Sequence, residues 1–238
     1  MGPRELLIDA GMRLLEEEGP EALNARRLAA QIGASTMAVY THFGGMAGLH
    51  EALMREAFVR FGDYLQQVPR TDDPITDLLA LGLAYREYAL TNPQRYRFMF
   101  GITGPGAAPS IGHDLTAEGT PTIMPEVNAA YEQLVAVVRR AMAAGRIRPD
   151  EPATVAGQFW SMIHGYVVLE TAGVFGREGH GVIQVLAPHA INLLVGLGDQ
   201  REAVEQSALG VAPTPDLAPP PAKAVRSRAA RRGRRARP

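Results

Sequence analysis

Residues 24–43, NARRLAAQIGASTMAVYTHF, decide the fold of this chain because their spacing is that of a helix-turn-helix. Leu28 and Ala29 fall on one face of a short helix, and a small side chain at Ala29 lets a second helix cross closely. Gly33 suits the left-handed backbone that the tight turn needs. Ser35 is placed to cap the second helix. The stretch therefore predicts two short helices in close contact.

The outer side of the second helix carries the residues that would meet DNA. In a helix-turn-helix, the first residues of the second helix meet base edges, while flanking hydroxyls and amides hold phosphates. Thr36 and Met37 are placed for bases. The predicted DNA-binding residues are Asn24, Ser35, Thr36, Met37, Tyr40, Thr41 and His42. The alternative is two short amphipathic helices around a glycine, with no role in DNA binding.

Residues 23–49, whose second helix ends in Ala-Val-Tyr-Thr-His-Phe, resemble the DNA-binding domain of the TetR family of transcriptional regulators. The resemblance implies a helix-turn-helix followed by a variable helical domain that binds a ligand and dimerises. It also implies that Tyr40 and His42 contact phosphates and that Phe43 anchors the core. The sequence departs at Met46, where family members usually have a phosphate-binding lysine.

The rest of the chain continues the helical pattern. Apolar stripes at three- and four-residue spacing predict helices over 4–18, 47–67, 74–92, 93–101, 125–144, 151–175 and 181–197. With the helix-turn-helix, this predicts an all-α fold of about nine helices. The predicted divisions are a three-helix DNA-binding domain (1–45), a helical ligand-binding and dimerisation domain (46–200) and a disordered tail rich in proline and arginine (201–238).

A ligand site is predicted in the second domain. Trp160, His164 and Gly165 resemble the WHG-type C-terminal domain of a subset of the same family, which implies an apolar or aromatic small-molecule effector. His164 either bonds that ligand or is a core histidine satisfied by a backbone carbonyl. The other candidates line a pocket or simply fill a core. The predicted ligand-binding residues are Phe98, Phe159, Trp160, Met162 and His164.

Residues 102–122 are rich in Gly, Pro, Ser and Thr and have no helical period, so they form either a disordered loop or a lid on the pocket. The helices over 151–175 and 181–197 are too apolar to stay exposed. We expect them to form a four-helix bundle with a second copy of the chain. The alternative is a helix pair buried within one chain.

Charge is divided unevenly along the sequence. The formal net charge is −1, but residues 212–238 contain seven Arg and one Lys against one Asp, so the remainder is acidic. Such a tail cannot bury enough apolar surface to fold. It either attracts DNA phosphates without sequence specificity or only adds solubility.

The sequence contains no arrangement typical of an enzyme. There is no cysteine, no HExxH, no nucleophile elbow and no phosphate-binding loop after a strand, and the six histidines are too scattered for a zinc site. We therefore expect no catalytic residue, cofactor or metal. With no apolar signal core and no stretch long enough to span a membrane, we expect a cytoplasmic protein. The alternative to a repressor that a small molecule releases from a palindromic operator is a helical small-molecule carrier that does not bind DNA.

Overall fold

The computed structural model describes residues 2–101, 114–176 and 179–211, and regular structure within these ranges is entirely helical. The all-α prediction is confirmed, whereas the prediction of about nine helices is too low. Eleven α-helices occupy the described ranges: α1 (Pro3–Glu18), α2 (Ala25–Gln31), α3 (Met37–Phe43), α4 (Met46–Leu65), α5 (Pro74–Thr91), α6 (Pro93–Met99), α7 (Leu115–Glu118), α8 (Pro125–Ala143), α9 (Pro152–Thr171), α10 (Ala187–Gly196) and α11 (Arg201–Leu209).

Local signals explain where most of these helices begin. The Asp73 carboxylate accepts a hydrogen bond from the Ile75 backbone N–H at 2.9 Å, and Pro74 occupies the first turn of α5. The same combination of a capping carboxylate and a proline opens α9, where Glu151 accepts from the Ala153 N–H. Such caps satisfy amide groups that no helical carbonyl reaches.

The N-terminal part of the chain packs α1 across α2 and α3. Leu7, Leu14, Leu28 and Val39 are fully buried at this junction. The second part is a helical bundle in which α8 packs against α4, α5 and α9. Because α4 also packs against α1 and α3, this 20-residue helix is common to both parts of the structure.

Two short helices were not expected. The predicted loop over 102–122 contains α7, whose Leu115 side chain reaches 3.1 Å from the position that a Cβ atom on Gly157 would occupy. Leu115 therefore covers α9 at Gly157 within the same chain. Residues 102–113 lie outside the described residues.

The predicted start of the disordered tail, at residue 201, is too early in the sequence, because Arg201–Leu209 forms α11. Val204 is fully buried, the Thr76 hydroxyl donates to the Ser207 carbonyl at 2.9 Å, and Arg146 donates to the Ser207 hydroxyl at 3.1 Å. These contacts come from residues far away in the sequence, which is why the local pattern did not predict the helix. Residues 212–238 lie outside the described residues.

The predicted helix over 181–197 is interrupted at its start. Val182–Leu186 forms a π-helix in which the Ala187 N–H bonds to the Val182 carbonyl, five residues back. Pro188 explains this register, since it has no N–H to donate to the carbonyl four residues earlier and its ring would collide with that carbonyl in an α-helix.

Within the described ranges, no helix combines the length and the apolar character needed to cross a membrane. In the same part of the chain, no three His, Asp or Glu side chains lie close enough together to hold a metal ion.

Candidate functional site

The helix-turn-helix forms through buried contacts at the positions that the sequence indicated. Gly33 adopts a φ of 66°, and the Ala34 N–H bonds to the Ala29 carbonyl at 2.8 Å to close the turn. Val39 is fully buried, and Ala29 is nearly so. These contacts fix the position of α3 against α2 and direct the opposite side of α3 to solvent.

The outward side of α3 and the turn before it are open to a partner. Met37 is 66% exposed and Tyr40 is 56% exposed. Ser35, Thr36, Thr41 and His42 are also exposed. The Thr41 hydroxyl donates to the Met37 carbonyl at 3.0 Å. The structure therefore brings these six predicted residues together on one accessible surface.

One detail of the prediction needs correction, and Asn24 has a structural role that was not predicted. Ser35 does not occupy the capping position of α3, which begins at Met37 with Thr36 as its N-cap and no side-chain cap bond. Asn24 caps α2 instead: its Oδ1 accepts from the Arg27 N–H at 3.0 Å and its Nδ2 donates to the Ala22 carbonyl at 3.2 Å. The sequence contained this signal, since asparagine before a helix is a favoured cap.

The end of α3 is held tightly against α4. Gly44 ends α3 in the left-handed conformation, with a φ of 71°. A Cβ atom on Gly48 would overlap the Phe43 carbonyl oxygen, so only glycine permits this approach of α3 to α4. Met46, at the position of the expected lysine, is half-buried and packs against the core. It therefore supplies an apolar anchor.

The second part of the chain contains a partly open cavity of about 280 Å³. Its wall is formed by side chains from α4, α5, α8, α9 and α10, by the π-helix and by the end of α11. Residues representative of the inner wall are Phe61, Tyr85, Phe100, Ala130, Tyr131 and Ile163. Pro121, from the segment interpreted as a loop or a lid, also borders the cavity. The volume is just below the usual range for the sites of drug-sized ligands, about 300 to 1,000 Å³.

The structure places only part of the predicted ligand-binding set on this wall. Phe159, Trp160 and Met162 line the cavity. Phe98 does not, because its buried ring packs edge-to-face on His50 of α4, with the ring centroids 6.2 Å apart. His164 is not on the wall either and lies behind Tyr85. Phe98 and His164 were predicted to bind the ligand, but neither side chain forms part of the cavity wall.

His164 belongs to a polar cluster behind the cavity. Its Nδ1 atom lies 2.7 Å from the Tyr96 hydroxyl and 3.0 Å from the Tyr85 hydroxyl, and these two hydroxyls are 3.1 Å apart. Burial lowers the pKa of His164 and raises the pKa of both tyrosines, so all three side chains remain neutral near pH 7. The hydrogen-bond partners of His164 Nδ1 are thus two tyrosine hydroxyls. The prediction of a core histidine had named a backbone carbonyl as its partner.

Tyr85 connects this cluster to the cavity, and the sequence did not single it out. Its ring is on the wall, and its hydroxyl accepts a hydrogen bond from Trp160 Nε1 at 3.4 Å. In the sequence, Tyr85 appears only as one member of the apolar stripe of α5. The available signal was that a buried tyrosine needs a hydrogen-bond partner, but the identity of that partner depends on the tertiary fold.

Comparisons with known proteins agree with both parts of this structure. Residues 7–53 match the family described as bacterial regulatory proteins, tetR family. Residues 78–189 match the tetracyclin repressor-like C-terminal domain. The two matches together cover about two thirds of the chain.

Individual proteins show the same relationship. An HTH-type transcriptional regulator of Mycobacterium tuberculosis is 26% identical over 72% of this chain and 71% of its own length. A protein of unknown function from Rhodococcus sp. RHA1 is 26% identical, with a TM-score of 0.65 over 84% of this chain and 97% of that one.

RolR in complex with resorcinol shares the fold at 16% identity, with a TM-score of 0.63 over 91% of this chain and 96% of that one. The helix-turn-helix with its open recognition helix, the helical domain behind it and these matches lead to one conclusion. This chain belongs to the TetR family of DNA-binding transcriptional regulators.

Proposed function

We propose that the protein is a homodimeric repressor that a small apolar molecule releases from DNA. The α3 helices of the two subunits enter successive major grooves of a near-palindromic operator and block transcription. The effector occupies the cavity of the helical domain, and the protein acts in the cytoplasm, where the operator is located. Under this proposal, residues 1–45 bind DNA and residues 46–200 bind the ligand and the second subunit.

The two ends of α4 carry the proposal. Near its start, Gly48 contacts the end of α3 through the Phe43 carbonyl. Toward its end, Phe58, Phe61 and Leu65 form part of the cavity wall. A 20-residue helix is about 30 Å long. A ligand that displaces the cavity end of α4 therefore also moves the recognition helix.

Linkage sets the expected size of the effect. If ligand and operator favour different positions of α4, each must weaken the binding of the other by the same factor. Such coupling energies are typically about 1 to 3 kcal/mol. Repression and release then follow from a shift between two arrangements, without a chemical step.

The proposed DNA contacts differ in role. Thr36 and Met37, at the start of α3, contact bases, while Ser35, Tyr40, Thr41 and His42 contact phosphates and set the position on the duplex. Asn24 supports the surface by capping α2. The exposure of these side chains supports the assignment.

The second subunit is proposed to cover the outer face of α9 and α10. Leu169 on α9 is 48% exposed, and Ile183 in the π-helix is 72% exposed. On α9, an added Cβ atom on Gly165 would meet nothing within 4 Å, which leaves room for a closely packed partner helix. The sequence suggested that these were the last two helices of the chain. The structure corrects this, because α11 follows α10. The alternative of a fully buried pair does not account for their exposed apolar side chains.

The RolR structure gives limited support to the ligand proposal. That protein was solved both without ligand and with resorcinol, a small aromatic molecule. A shared fold at 16% identity extends to architecture only. The effector class proposed for this chain therefore rests on its own cavity wall.

A genomic-fragment binding selection tests the regulator proposal directly. The purified full-length protein and a variant truncated from Pro213 are each incubated with fragments at low and moderate salt. We expect enrichment of one palindromic sequence that survives both the salt and the truncation. Binding that is independent of sequence and disappears with the basic tail would contradict the proposal and favour a small-molecule carrier.

A further inference from the structure

The side chains of the cavity wall are chemically uniform. Every side chain that the described residues contribute to it is aliphatic or aromatic, and none carries a charge. Among the described wall residues, side-chain N–H and O–H groups belong only to Tyr85, Tyr131 and Trp160. Ligand recognition therefore depends on these three side chains and on apolar contact.

All three polar groups already have partners within the protein. The Tyr131 hydroxyl donates to the Ala153 carbonyl at 2.6 Å. Trp160 Nε1 donates to the Tyr85 hydroxyl, which also lies within hydrogen-bond distance of Tyr96 and His164. A ligand thus meets no buried polar group that requires a partner, and it gains little by bringing one.

The charged residues next to this cluster are also paired. Arg86, the next residue after Tyr85, donates to both carboxylate oxygens of Glu170, at 2.7 and 2.6 Å. This bidentate ion pair is largely removed from solvent. Neither member is on the cavity wall, and each neutralises the other, so neither is available as a counter-ion for a ligand.

From this wall we infer the chemical class of the effector, an inference that rests on the proposed function. We propose that the cavity binds an uncharged hydrophobic molecule and discriminates against carboxylates and ammonium ions of the same shape. An ion on this wall would lose its hydration and receive neither a counter-ion nor a set of hydrogen bonds in return. A neutral molecule loses little hydration and gains the full benefit of apolar burial.

Gly82 sets the space that this molecule fills. It lies in the interior of α5 on the cavity wall, and an added Cβ atom would meet nothing within 4 Å. Glycine is unfavourable inside a helix relative to alanine, and no close neighbour requires it at this position. Its consequence is additional room between α5 and the opposite wall. A larger side chain at this position therefore occupies the volume available to the ligand.

The test compares probes that differ only in the charge of one end. Trp160 is the only tryptophan of the chain and lines the cavity, so its fluorescence reports binding without a label. The full-length protein is titrated at pH 7.5 with 1-decanol, decanoate and decylammonium, below their aggregation limits, and calorimetry confirms each affinity. We expect 1-decanol to bind at least about tenfold more tightly than either ion. Equal or tighter binding of an ion, or no binding of 1-decanol, overturns the proposal.

Three variants locate the binding site. Gly82→Leu fills the cavity and should reduce 1-decanol affinity by about tenfold or more, whereas unchanged affinity would overturn the assignment to this cavity. Met162→Lys places an ammonium group on the wall and should improve decanoate binding relative to 1-decanol. Leu90→Lys, on an exposed position of α5 away from the wall, is the matched control and should retain the wild-type preference. An inverted preference in this control would also contradict the assignment.

Two independent measurements on the same proteins, ligand binding and specific DNA binding, distinguish a failure of this inference from a failure of the proposed function. Specific DNA binding is measured independently in the fragment selection, without any ligand. Binding of 1-decanol by a protein that shows no specific DNA binding would refute the regulator and retain the ligand class. Specific DNA binding by a protein that prefers decanoate would support the regulator and refute the proposed ligand class.

Discussion

The carbonyl oxygen of Phe43 occupies the space that a side chain on Gly48 would need. The contact joins the last residue of α3 to the first turn of α4, so the recognition helix lies against backbone, without an intervening side chain. Because backbone atoms cannot move aside as a flexible side chain can, α3 and the start of α4 behave as one unit. This relationship makes the orientation of the recognition helix dependent on α4.

Gly48→Ala should therefore damage both stability and DNA binding. The added methyl group forces α3 away from α4, and overpacking of this kind typically costs about 1 to 3 kcal/mol. Urea unfolding measures the loss of stability, and operator titration measures the loss of affinity. A variant with wild-type stability and affinity would show that α3 moves independently of α4.

Gly82→Ala is a matched substitution for which we expect the opposite sign of stability change. Its methyl group enters open space, and alanine favours the helix by about 0.5 to 1 kcal/mol over glycine. Urea unfolding should therefore show a gain in stability. Because Gly82 is remote from α3, operator affinity without ligand should not change. A loss of stability would contradict the open space seen beside Gly82.

Tyr40→Ala combined with His42→Ala should remove most operator affinity. Both side chains are exposed, so the fold should persist, and hydrogen bonds to charged groups are typically worth about 1.5 to 3 kcal/mol each. Operator affinity is measured by fluorescence anisotropy, and circular dichroism checks the fold. Gln66→Ala, at an exposed position beyond the end of α4, provides the control. Full retention of affinity by the double variant would exclude the proposed contacts.

Ile183→Glu should dissociate the proposed dimer. A carboxylate at this site would be buried without a partner in the subunit interface, which should weaken dimerisation by about tenfold or more. Sedimentation equilibrium measures the change, and operator affinity should fall with it. Leu209→Glu is the matched control, since Leu209 is 80% exposed but lies on α11. Dissociation by Leu209→Glu alone would place the interface on α11.

Stability should decrease as the pH falls from 7.5 to 5.5. Burial lowers the pKa of His50 and His164 below the ordinary value of 6.5. In this window the unfolded chain takes up protons that the folded protein resists, so acidification favours unfolding. The free energy of unfolding at the two pH values measures the effect.

The variant His50→Gln combined with His164→Gln should show a smaller decrease over the same interval. His42→Gln, which replaces an exposed histidine on α3 and is measured without DNA, is the control for removing a histidine. An identical pH dependence in the wild-type protein and the double variant would assign the decrease to other groups.

The cavity shows why some site residues could not be predicted. Trp160 and Met162 are two of the ligand-binding residues that the sequence predicted on α9, and both line the cavity. Phe98 is equally aromatic but turns toward His50, while Tyr85 reaches the cavity from a different helix. Residue type is local information, but the direction of a side chain into a shared space depends on how α5, α6 and α9 pack.

The sequence alone determined the features whose causes are local. The glycine at Gly33, the cap and proline at Asp73 and Pro74 and the apolar stripes specify helices and turns through interactions within a few residues. The family resemblance likewise came from a continuous segment, and the family assignment was confirmed. The prediction of an all-α fold was confirmed for the same reason.

Tertiary structure decided the features that depend on distant partners. Helix α11 exists in its observed position because Thr76 and Arg146 bond to Ser207, and His164 finds its partners on α5 and α6. The uncharged cavity and the overlap between Gly48 and Phe43 arise only when separate helices come together. Such contacts depend on packing between residues far apart in sequence, and no local pattern records which of them meet.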